Sequence, residues 1–250
     1  MPKVPIALQL YSVRKECEKD LPAVLDAVAE MGYDGVEFAG YYGRTADELQ
    51  SLLSERGLEA VGTHIGVPTL LGAELEKTVA FNKTLGNRYL IVPGLPREYT
   101  ESLDAWKRTA ALFNELAEKV ADEDMQVGYH NHTEEFKKVA DECAWDVFAR
   151  NTRRDVVLQL DTGNALHGGA DVAALLKAYP ARSKTVHLKE HSATNDKALI
   201  GEGDIPWKEV FRLCETLGGT EWYIVEQETY AYPPLVTVQK CLQNLHNMGK

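Results

Sequence analysis

Histidine and acidic side chains recur at the ends of short apolar runs in the second half of the chain. They are His130 and His132, followed by Asp161, His187 and Glu226. A mixture of imidazole and carboxylate ligands suits Mn²⁺, Zn²⁺, Co²⁺ or Fe²⁺ better than Ca²⁺. If these side chains converge, the sequence predicts a divalent-metal site that could polarise a substrate.

Each of these residues also has an ordinary structural explanation. Asp161 could cap a turn or the helix that follows, a lone histidine is more often a hydrogen-bond partner, and Glu226 could belong to an ion pair. Four consecutive runs that end in His, Asp, His and Glu are harder to explain one by one. Together they would crowd polar groups into a narrow space, where only paired charges or a metal offset the cost of desolvation.

The elements that must position these residues alternate between strand and helix. Eight apolar or β-branched runs are each followed by a segment with the helical period of 3.6 residues. The predicted strands are Ile6–Leu10, Gly35–Phe38, Ala60–His64, Tyr89–Val92, Gln126–His130, Val156–Leu160, Lys184–Leu188 and Trp222–Val225. Gly32, Gly57 and Gly86 are expected to end the first three helices.

This alternation predicts an α/β fold, a (β/α)₈ TIM barrel that forms a single domain over residues 1–250. A doubly wound nucleotide-binding sheet would need a G-x-G-x-x-G turn after its first strand. Tyr11-Ser12-Val13-Arg14 stands there instead, without a glycine. The barrel is therefore favoured, and its active site is expected at the carboxyl ends of the strands.

Other polar residues are predicted to lie at the same mouth. Glu37 and His64 end the second and third strands, and Glu202 lies in a long loop before the seventh helix. Residues at the carboxyl ends of barrel strands point into the active-site mouth, and long loops at this end of the barrel are usually functional. We therefore expect Glu37, His64 and Glu202 to bind substrate. Lys189 shares a strand face with His187 and could stabilise an oxyanion or pair with a neighbouring glutamate.

The composition narrows the classes of partner. A net charge of −11 argues against binding a nucleic-acid backbone, which needs a basic surface. No apolar signal or membrane-length segment is present in the sequence, and the four cysteines are scattered. The sequence predicts a cytoplasmic protein with reduced thiols and a small-molecule carbohydrate substrate, without membrane or nucleic-acid partners. It leaves the formation of a homo-oligomer open.

The strand-end motifs resemble those of the sugar phosphate isomerase/epimerase family, xylose isomerase-like TIM barrels that also include endonuclease IV. The matching segments are Tyr129-His130-Asn131-His132, Leu160-Asp161-Thr162-Gly163-Asn164, Val186-His187-Leu188-Lys189, Ile224-Val225-Glu226, and the opening segments Leu8–Arg14 and Gly32–Glu37. Each motif alone is weak, but their order and spacing are specific. The resemblance covers essentially the whole chain.

This resemblance implies a metal site of the Glu-Asp-His-Glu type, in which Asp161, His187 and Glu226 occupy three positions. His130 stands where many members have the first glutamate. Family epimerases move one proton between two glutamates, so the replacement of one glutamate by His130 argues against symmetric epimerisation. The His-Asn-His form resembles members linked to inositol and 3-keto-sugar catabolism, which implies elimination or hydration next to a carbonyl.

The leading hypothesis is a metal-dependent enzyme that removes a proton next to a sugar carbonyl. Asp161, His187 and Glu226 would hold Mn²⁺, Zn²⁺, Co²⁺ or Fe²⁺, and His130 would complete the metal shell or serve with His132 as a general acid or base. Glu226 and His132 would transfer protons, and Lys189 would support the oxyanion. The alternatives are a sugar-binding barrel without catalysis, suggested by the missing glutamate, and an endonuclease IV-like abasic-site nuclease, disfavoured by the acidic composition.

Overall fold

The computed structural model describes residues 3–139 and 141–250, and within them eight parallel strands close into a barrel. The strands are β1 (Ile6–Gln9), β2 (Gly35–Ala39), β3 (Glu59–His64), β4 (Tyr89–Val92), β5 (Gln126–His130), β6 (Val157–Asp161), β7 (Thr185–Leu188) and β8 (Trp222–Val225). Each strand pairs with its neighbour in the chain, and β8 pairs with β1. The predicted (β/α)₈ barrel is confirmed.

Helices connect successive strands along the outside of the barrel. In the described residues they are α1 (Arg14–Met31), α2 (Ala46–Ser54), α3 (Ala73–Leu85), α4 (Arg97–Thr100), α5 (Leu103–Val120), α6 (Ala144–Asn151), α7 (Thr162–His167), α8 (Val172–Ala178), α9 (Trp207–Leu213) and α10 (Pro234–Asn247). Two short strands, Lys138–Val139 and Glu142–Cys143, pair antiparallel between β5 and α6.

The predicted helix ends follow from backbone geometry. Gly32 and Gly86 adopt φ angles of 95° and 80°, which a residue without a Cβ adopts at little cost. Their amide groups donate back to carbonyls of the last helical turn, so the glycines both stop the helices and satisfy their ends. Each glycine therefore sets the point at which the chain turns back into the next strand.

The inner face of the barrel changes character along its axis. Near the amino ends of the strands it is apolar: Ala7, Val61 and Ile224 form one buried cluster, and Ile91 and Val157 belong to a second. Side chains alternate between the two faces of a strand, so the next inward position on several strands lies one layer closer to the mouth. In that layer the side chains are polar, and they carry the candidate site.

The helix layer is held by one large apolar core. Trp106 and Phe113 of α5 meet Tyr129 of β5 and Phe148 of α6, with ring centroids 5.0–6.2 Å apart. Most of these contacts are edge-to-face, which aromatic rings prefer. This packing fixes β5 against its helices and so fixes the position of His130 at the end of that strand.

Cys17, Cys143, Cys214 and Cys241 are buried and free, as expected for reduced thiols. Among the described helices, none combines the length and apolar character that crossing a bilayer would require.

Candidate active site

Four of the predicted residues meet at the carboxyl ends of the strands. His130, Asp161 and His187 lie on β5, β6 and β7, and Glu226 directly follows β8. All four are buried, and each offers a nitrogen or oxygen atom within 4.8 Å of those of the other three. We call this group the four-residue cluster. Its convergence follows from the barrel, whose parallel strands all end at one mouth.

The two histidines of the β5 end occupy different places. The ring of His130 lies in the cluster, whereas His132 is exposed at the rim, with its ring centroid 5.1 Å from that of His130. The His132 backbone N–H donates to Glu135 Oε2 at 2.8 Å, which fixes the loop but leaves the imidazole free to face the mouth. The structure thus separates a buried imidazole from an accessible one.

Asp161 uses its two carboxylate oxygens differently. Oδ1 accepts the backbone N–H of Asn164 at 2.7 Å and caps α7. Oδ2 is buried without a hydrogen-bond partner among the described residues. Burial, together with nearby Glu226, raises the pKa of this carboxyl to about 7, although Lys189 opposes the rise. An unpaired buried carboxylate oxygen is costly, and a bound cation would satisfy it.

His187 bridges two carboxylates. Its Nδ1 lies 2.8 Å from Glu226 Oε2 and its Nε2 lies 2.6 Å from Glu37 Oε2. Burial alone would lower the pKa of His187, but Glu37 and Glu226 outweigh it and raise the value to about 10. Without a metal, the ring therefore carries a proton on each nitrogen and its charge offsets that of its two partners.

His130 presents the opposite electrostatic state. Its Nδ1 lies 3.0 Å from Gln159 Oε1, and its Nε2 lies 4.0 Å from both Asp161 Oδ2 and Glu226 Oε2. Burial, reinforced by His187 and His64, holds its pKa well below the ordinary value. The neutral ring can therefore offer a lone pair to a cation.

Glu37 lies beneath the cluster and not in the mouth. It is fully buried, and its carboxylate accepts from Gln9 Nε2 at 2.6 Å, Gln159 Nε2 at 2.7 Å and His187 Nε2 at 2.6 Å. Although burial raises the pKa of Glu37, His64 and His187 lower it well below the ordinary value. These donors occupy both oxygens, so the carboxylate is not free to bind a substrate in this arrangement.

His64 does face the mouth. Its ring stacks on that of His187, with centroids 5.2 Å apart and planes 5° from parallel. Its Nε2 lies 2.7 Å from Gln159 Oε1 and 3.1 Å from Glu37 Oε2. His64 thus connects the mouth to the buried polar layer.

Lys189 and Glu202 lie at different distances from the cluster. The Lys189 ammonium pairs with Glu228. Burial lowers the pKa of Lys189, but the charges of Asp161 and Glu226 outweigh burial and raise the pKa above the ordinary value. Lys189 therefore stays cationic beside the cluster. Glu202 is exposed, and its carboxylate accepts the backbone N–H of Leu199 at 3.0 Å. The structure places Glu202 in its own loop, apart from the residues that line the mouth.

A cavity of about 420 Å³ opens above the cluster. This volume is in the range of sites for small molecules. Its lining consists of Tyr11, Ala39, His64, Gly66, Pro93, Gly94, His130, His132, Glu226 and Glu228. Tyr11 and Glu228 were not predicted as site residues, although each follows a strand end within three residues. Gln9 and Gln159 were also missed, since buried amides carry no charge pattern.

The donor set fits a divalent cation. Two imidazoles and two carboxylates surround one point, one carboxylate oxygen there has no hydrogen-bond partner among the described residues, and one imidazole is neutral. Mixed nitrogen and oxygen ligands of this kind suit Mn²⁺, Fe²⁺, Co²⁺ or Zn²⁺.

Comparisons with known proteins agree with the barrel fold. The family model described as xylose isomerase-like TIM barrel matches residues 25–245. Inosose dehydratase from Erwinia tasmaniensis is 27% identical, over 84% of this chain and 83% of that protein. Inosose dehydratase from Clostridium botulinum is 24% identical, over 81% of each chain. A solved sugar phosphate isomerase/epimerase from Parabacteroides distasonis is similar with a TM-score of 0.85 and 24% identity, covering 97% of this chain and 94% of that one.

Proposed function

Because this chain belongs to the xylose isomerase-like TIM-barrel family, we propose that it is a metal-dependent enzyme that removes a proton next to the carbonyl of a sugar or keto-sugar. The observation that carries this function is the four-residue cluster, with its ligand atoms within 4.8 Å of one another and Asp161 Oδ2 buried without a partner in the described chain. The named relatives support a sugar-acting enzyme.

His130, Asp161, His187 and Glu226 would hold the divalent metal. When bound, the cation polarises a carbonyl oxygen and so makes the neighbouring C–H bond more acidic. Mn²⁺, Zn²⁺, Co²⁺ and Fe²⁺ all suit these donors.

Two residues are suited to moving protons. Glu226 lines the cavity. Burial favours the protonated form of Glu226, but Lys189 and His187 outweigh burial and hold its pKa well below the ordinary value. The carboxylate is therefore ionised and can accept a proton. His132 also lines the cavity and is exposed, and an imidazole can both donate and accept near neutral pH. Lys189 adds positive charge beside the cluster, which favours a developing oxyanion.

Among the reactions of this class, we favour elimination of water from an inosose-type or 3-keto-sugar substrate. Glu226 takes the proton next to the carbonyl, and the electrons of that C–H bond form an enolate. The enolate then expels the β-hydroxyl, which leaves as water after His132 supplies a proton. The relatives named inosose dehydratase support this outcome, and His130 in place of a second glutamate disfavours symmetric epimerisation. Isomerisation and epimerisation are the alternatives.

The experiment is a metal-replete screen of keto-sugars and inososes in D₂O, in which NMR follows C–H exchange in the substrate and the appearance of the dehydrated, unsaturated product. The wild type is expected to exchange one C–H proton with at least one member of the panel. His187→Ala should reduce the rate about 100-fold or more, since a few kcal/mol of transition-state stabilisation correspond to that factor. His246→Ala, which changes an exposed histidine in α10, is the matched control.

Two results would contradict the proposal. One is inactivity of the wild type across the panel, and the other is full activity of His187→Ala. A wild type that retains less than about a tenth of an equivalent of metal, with thermal stability unmoved by Mn²⁺ or Co²⁺, would favour a sugar-binding barrel without catalysis.

A further inference from the structure

Three fully buried side chains, Gln9, Glu37 and Gln159, lie beneath the four-residue cluster. We call them the supporting layer. Gln9 Nε2 donates to Glu37 Oε2 at 2.6 Å, and Gln159 Nε2 donates to Glu37 Oε1 at 2.7 Å. The three residues are inward-facing positions of β1, β2 and β6, and their side chains form a floor under the candidate ligands.

The direction of every hydrogen bond in this layer is fixed by its partners. Gln9 Oε1 accepts the backbone N–H of Tyr11 at 3.0 Å, so its amide NH₂ must face Glu37. An ionised carboxylate only accepts, so Gln159 must also turn its NH₂ toward Glu37. Gln159 Nε2 donates a second bond, to Thr185 Oγ1 at 2.9 Å. The carbonyl oxygen of Gln159 is therefore left facing the histidines.

This directionality determines which ring nitrogen of each histidine holds a proton. His187 Nε2, at 2.6 Å from Glu37 Oε2, must donate, so Nδ1 is the nitrogen available on the side of Glu226. His130 Nδ1, at 3.0 Å from Gln159 Oε1, must donate, so Nε2 is the nitrogen available on the side of Asp161. The two rings therefore present different nitrogens to the same point.

We propose that Glu37 and Gln159 are positioning residues that fix opposite tautomers in His187 and His130 and so prepare both rings to bind one divalent cation. This role rests on the proposed function, which supplies the cation. Histidine ligands commonly donate their other N–H to a carboxylate or carbonyl, and losing that acceptor typically lowers metal affinity about 10- to 100-fold.

Gly62 on β3 makes room for Glu37. A Cβ atom at position 62 would lie only 2.4 Å from Glu37 Oε1, closer than any real contact, and the pairing of β2 with β3 shifts register between Val36 and Glu37. A side chain at position 62 would push the carboxylate off its three donors. Gly62→Ala therefore disturbs the supporting layer without changing any of its three residues.

The first test measures Mn²⁺ affinity by calorimetry in wild type and Glu37→Gln. The amide of the Glu37→Gln variant would have one accepting oxygen and one donating NH₂. If the NH₂ faces His187 Nε2, that nitrogen must accept and His187 changes tautomer. If the NH₂ faces Gln159, the Gln159 amide must turn over, and its NH₂ then forces His130 to change tautomer. We expect the Kd for Mn²⁺ to rise about 10- to 100-fold. Glu221→Gln is the matched control, because Glu221 accepts from Tyr89 and Lys184 away from the cluster; its Kd should equal that of the wild type.

The second test reads the tautomers directly in the wild type. Long-range ¹H–¹⁵N NMR of ¹⁵N-histidine protein loaded with Zn²⁺ should show His187 protonated at Nε2 and His130 protonated at Nδ1, with assignments from single His→Gln variants. Gly62→Ala should raise the Kd for Mn²⁺, as Glu37→Gln does. It replaces Glu37→Gln in the first test if Glu37→Gln does not fold.

The outcomes separate this role from the proposed function. Metal bound through the same ring nitrogen in both histidines, or an unchanged Kd in a folded Glu37→Gln or Gly62→Ala variant, overturns the positioning role alone. A wild type that binds neither Mn²⁺ nor Zn²⁺ overturns the positioning role together with the metal dependence of the proposed function.

Discussion

At the residue scale, Asp161 combines two roles, helix cap and metal ligand, that its sequence context presents as alternatives. Its Oδ1 caps α7, as a lone aspartate at that position predicts, and its Oδ2 faces the cluster without a hydrogen-bond partner in the described chain. The structural explanation and the metal-site explanation therefore hold for different atoms of one side chain. The consequence is that the two roles can be separated by substitution.

Asp161→Asn should keep the helix cap and lose the cation. An asparagine oxygen can still accept the Asn164 N–H, but the neutral amide removes a carboxylate ligand. We expect Mn²⁺ affinity to fall about 10-fold or more, by analogy with the loss of other metal-site groups, as measured by calorimetry. Asp171→Asn changes the equivalent cap of α8 and should leave Mn²⁺ binding unchanged; equal losses in both variants would refute the distinction.

The same substitution should change stability with a definite pH dependence. The folded pKa of Asp161, about 7, lies above the ordinary 3.8, so the stability it contributes is present below pH 3.8 and is lost as the pH rises through 7. In chelator at about pH 8, Asp161→Asn should therefore be more stable than wild type, and the advantage should shrink toward about pH 4. Urea unfolding at the two pH values measures this difference in stability. An Asp161→Asn variant that is less stable than wild type at about pH 8 would contradict the predicted direction.

The residues of the cluster were predictable from sequence, but the floor beneath them was not. His130, Asp161, His187 and Glu226 carry the chemistry of metal ligands at strand ends, and the barrel brings strand ends together. Glu37 has the same sequence signal, yet it lies below the mouth. Strand β2 continues two residues beyond Glu37, to Ala39, so this side chain lies one inward position below the strand end.

At the element scale, the strands were predictable because local signals define them. Apolar runs between glycine-ended helices place every strand boundary within one residue of the observed one. The loop between β7 and α9 has no such pattern, so the substrate contact expected of Glu202 depended on loop length alone. In the structure, Glu190 accepts hydrogen bonds from other residues of this loop and of the start of α9.

Glu190 is predicted to hold the β7–α9 loop together. Its carboxylate accepts the Gly201 N–H at 2.7 Å and the Trp207 Nε1–H at 2.7 Å. Glu190→Ala leaves these donors unpaired, so we expect the free energy of unfolding to fall by about 1–3 kcal/mol and hydrogen exchange to increase around Gly201. Glu202→Ala, which removes one acceptor in the same loop, is the control with a smaller effect. Unchanged exchange in Glu190→Ala would contradict this role.

At the scale of the whole molecule, buried charge links stability to pH and to metal. The folded pKa of His187, about 10, lies above the ordinary 6.5, so its contribution is present below pH 6.5 and is lost as the pH rises through 10. In chelator, the stability difference between wild type and His187→Gln should therefore shrink between about pH 6.5 and about pH 9. A difference that grows over this range, measured by urea unfolding, would contradict the sign.

Metal binding should show the opposite trend with pH. A cation must replace the proton on His187 Nδ1, so Mn²⁺ affinity should rise as the pH rises over the same range. The acidic net charge of −11 also favours cations over polyanions. It supports our prediction that nucleic acid is not a partner. The small-molecule carbohydrate partner and the cytoplasmic location also stay predictions.

The central claim is that side chains from four strand ends share one divalent cation. Anomalous diffraction from crystals soaked in Mn²⁺ tests it most directly, because it locates the ion and its ligands together. We predict one strong peak bonded to His130, Asp161, His187 and Glu226, and its loss in His187→Ala crystals treated alike. An empty cluster in the wild type, or a peak held by other residues, would contradict the account.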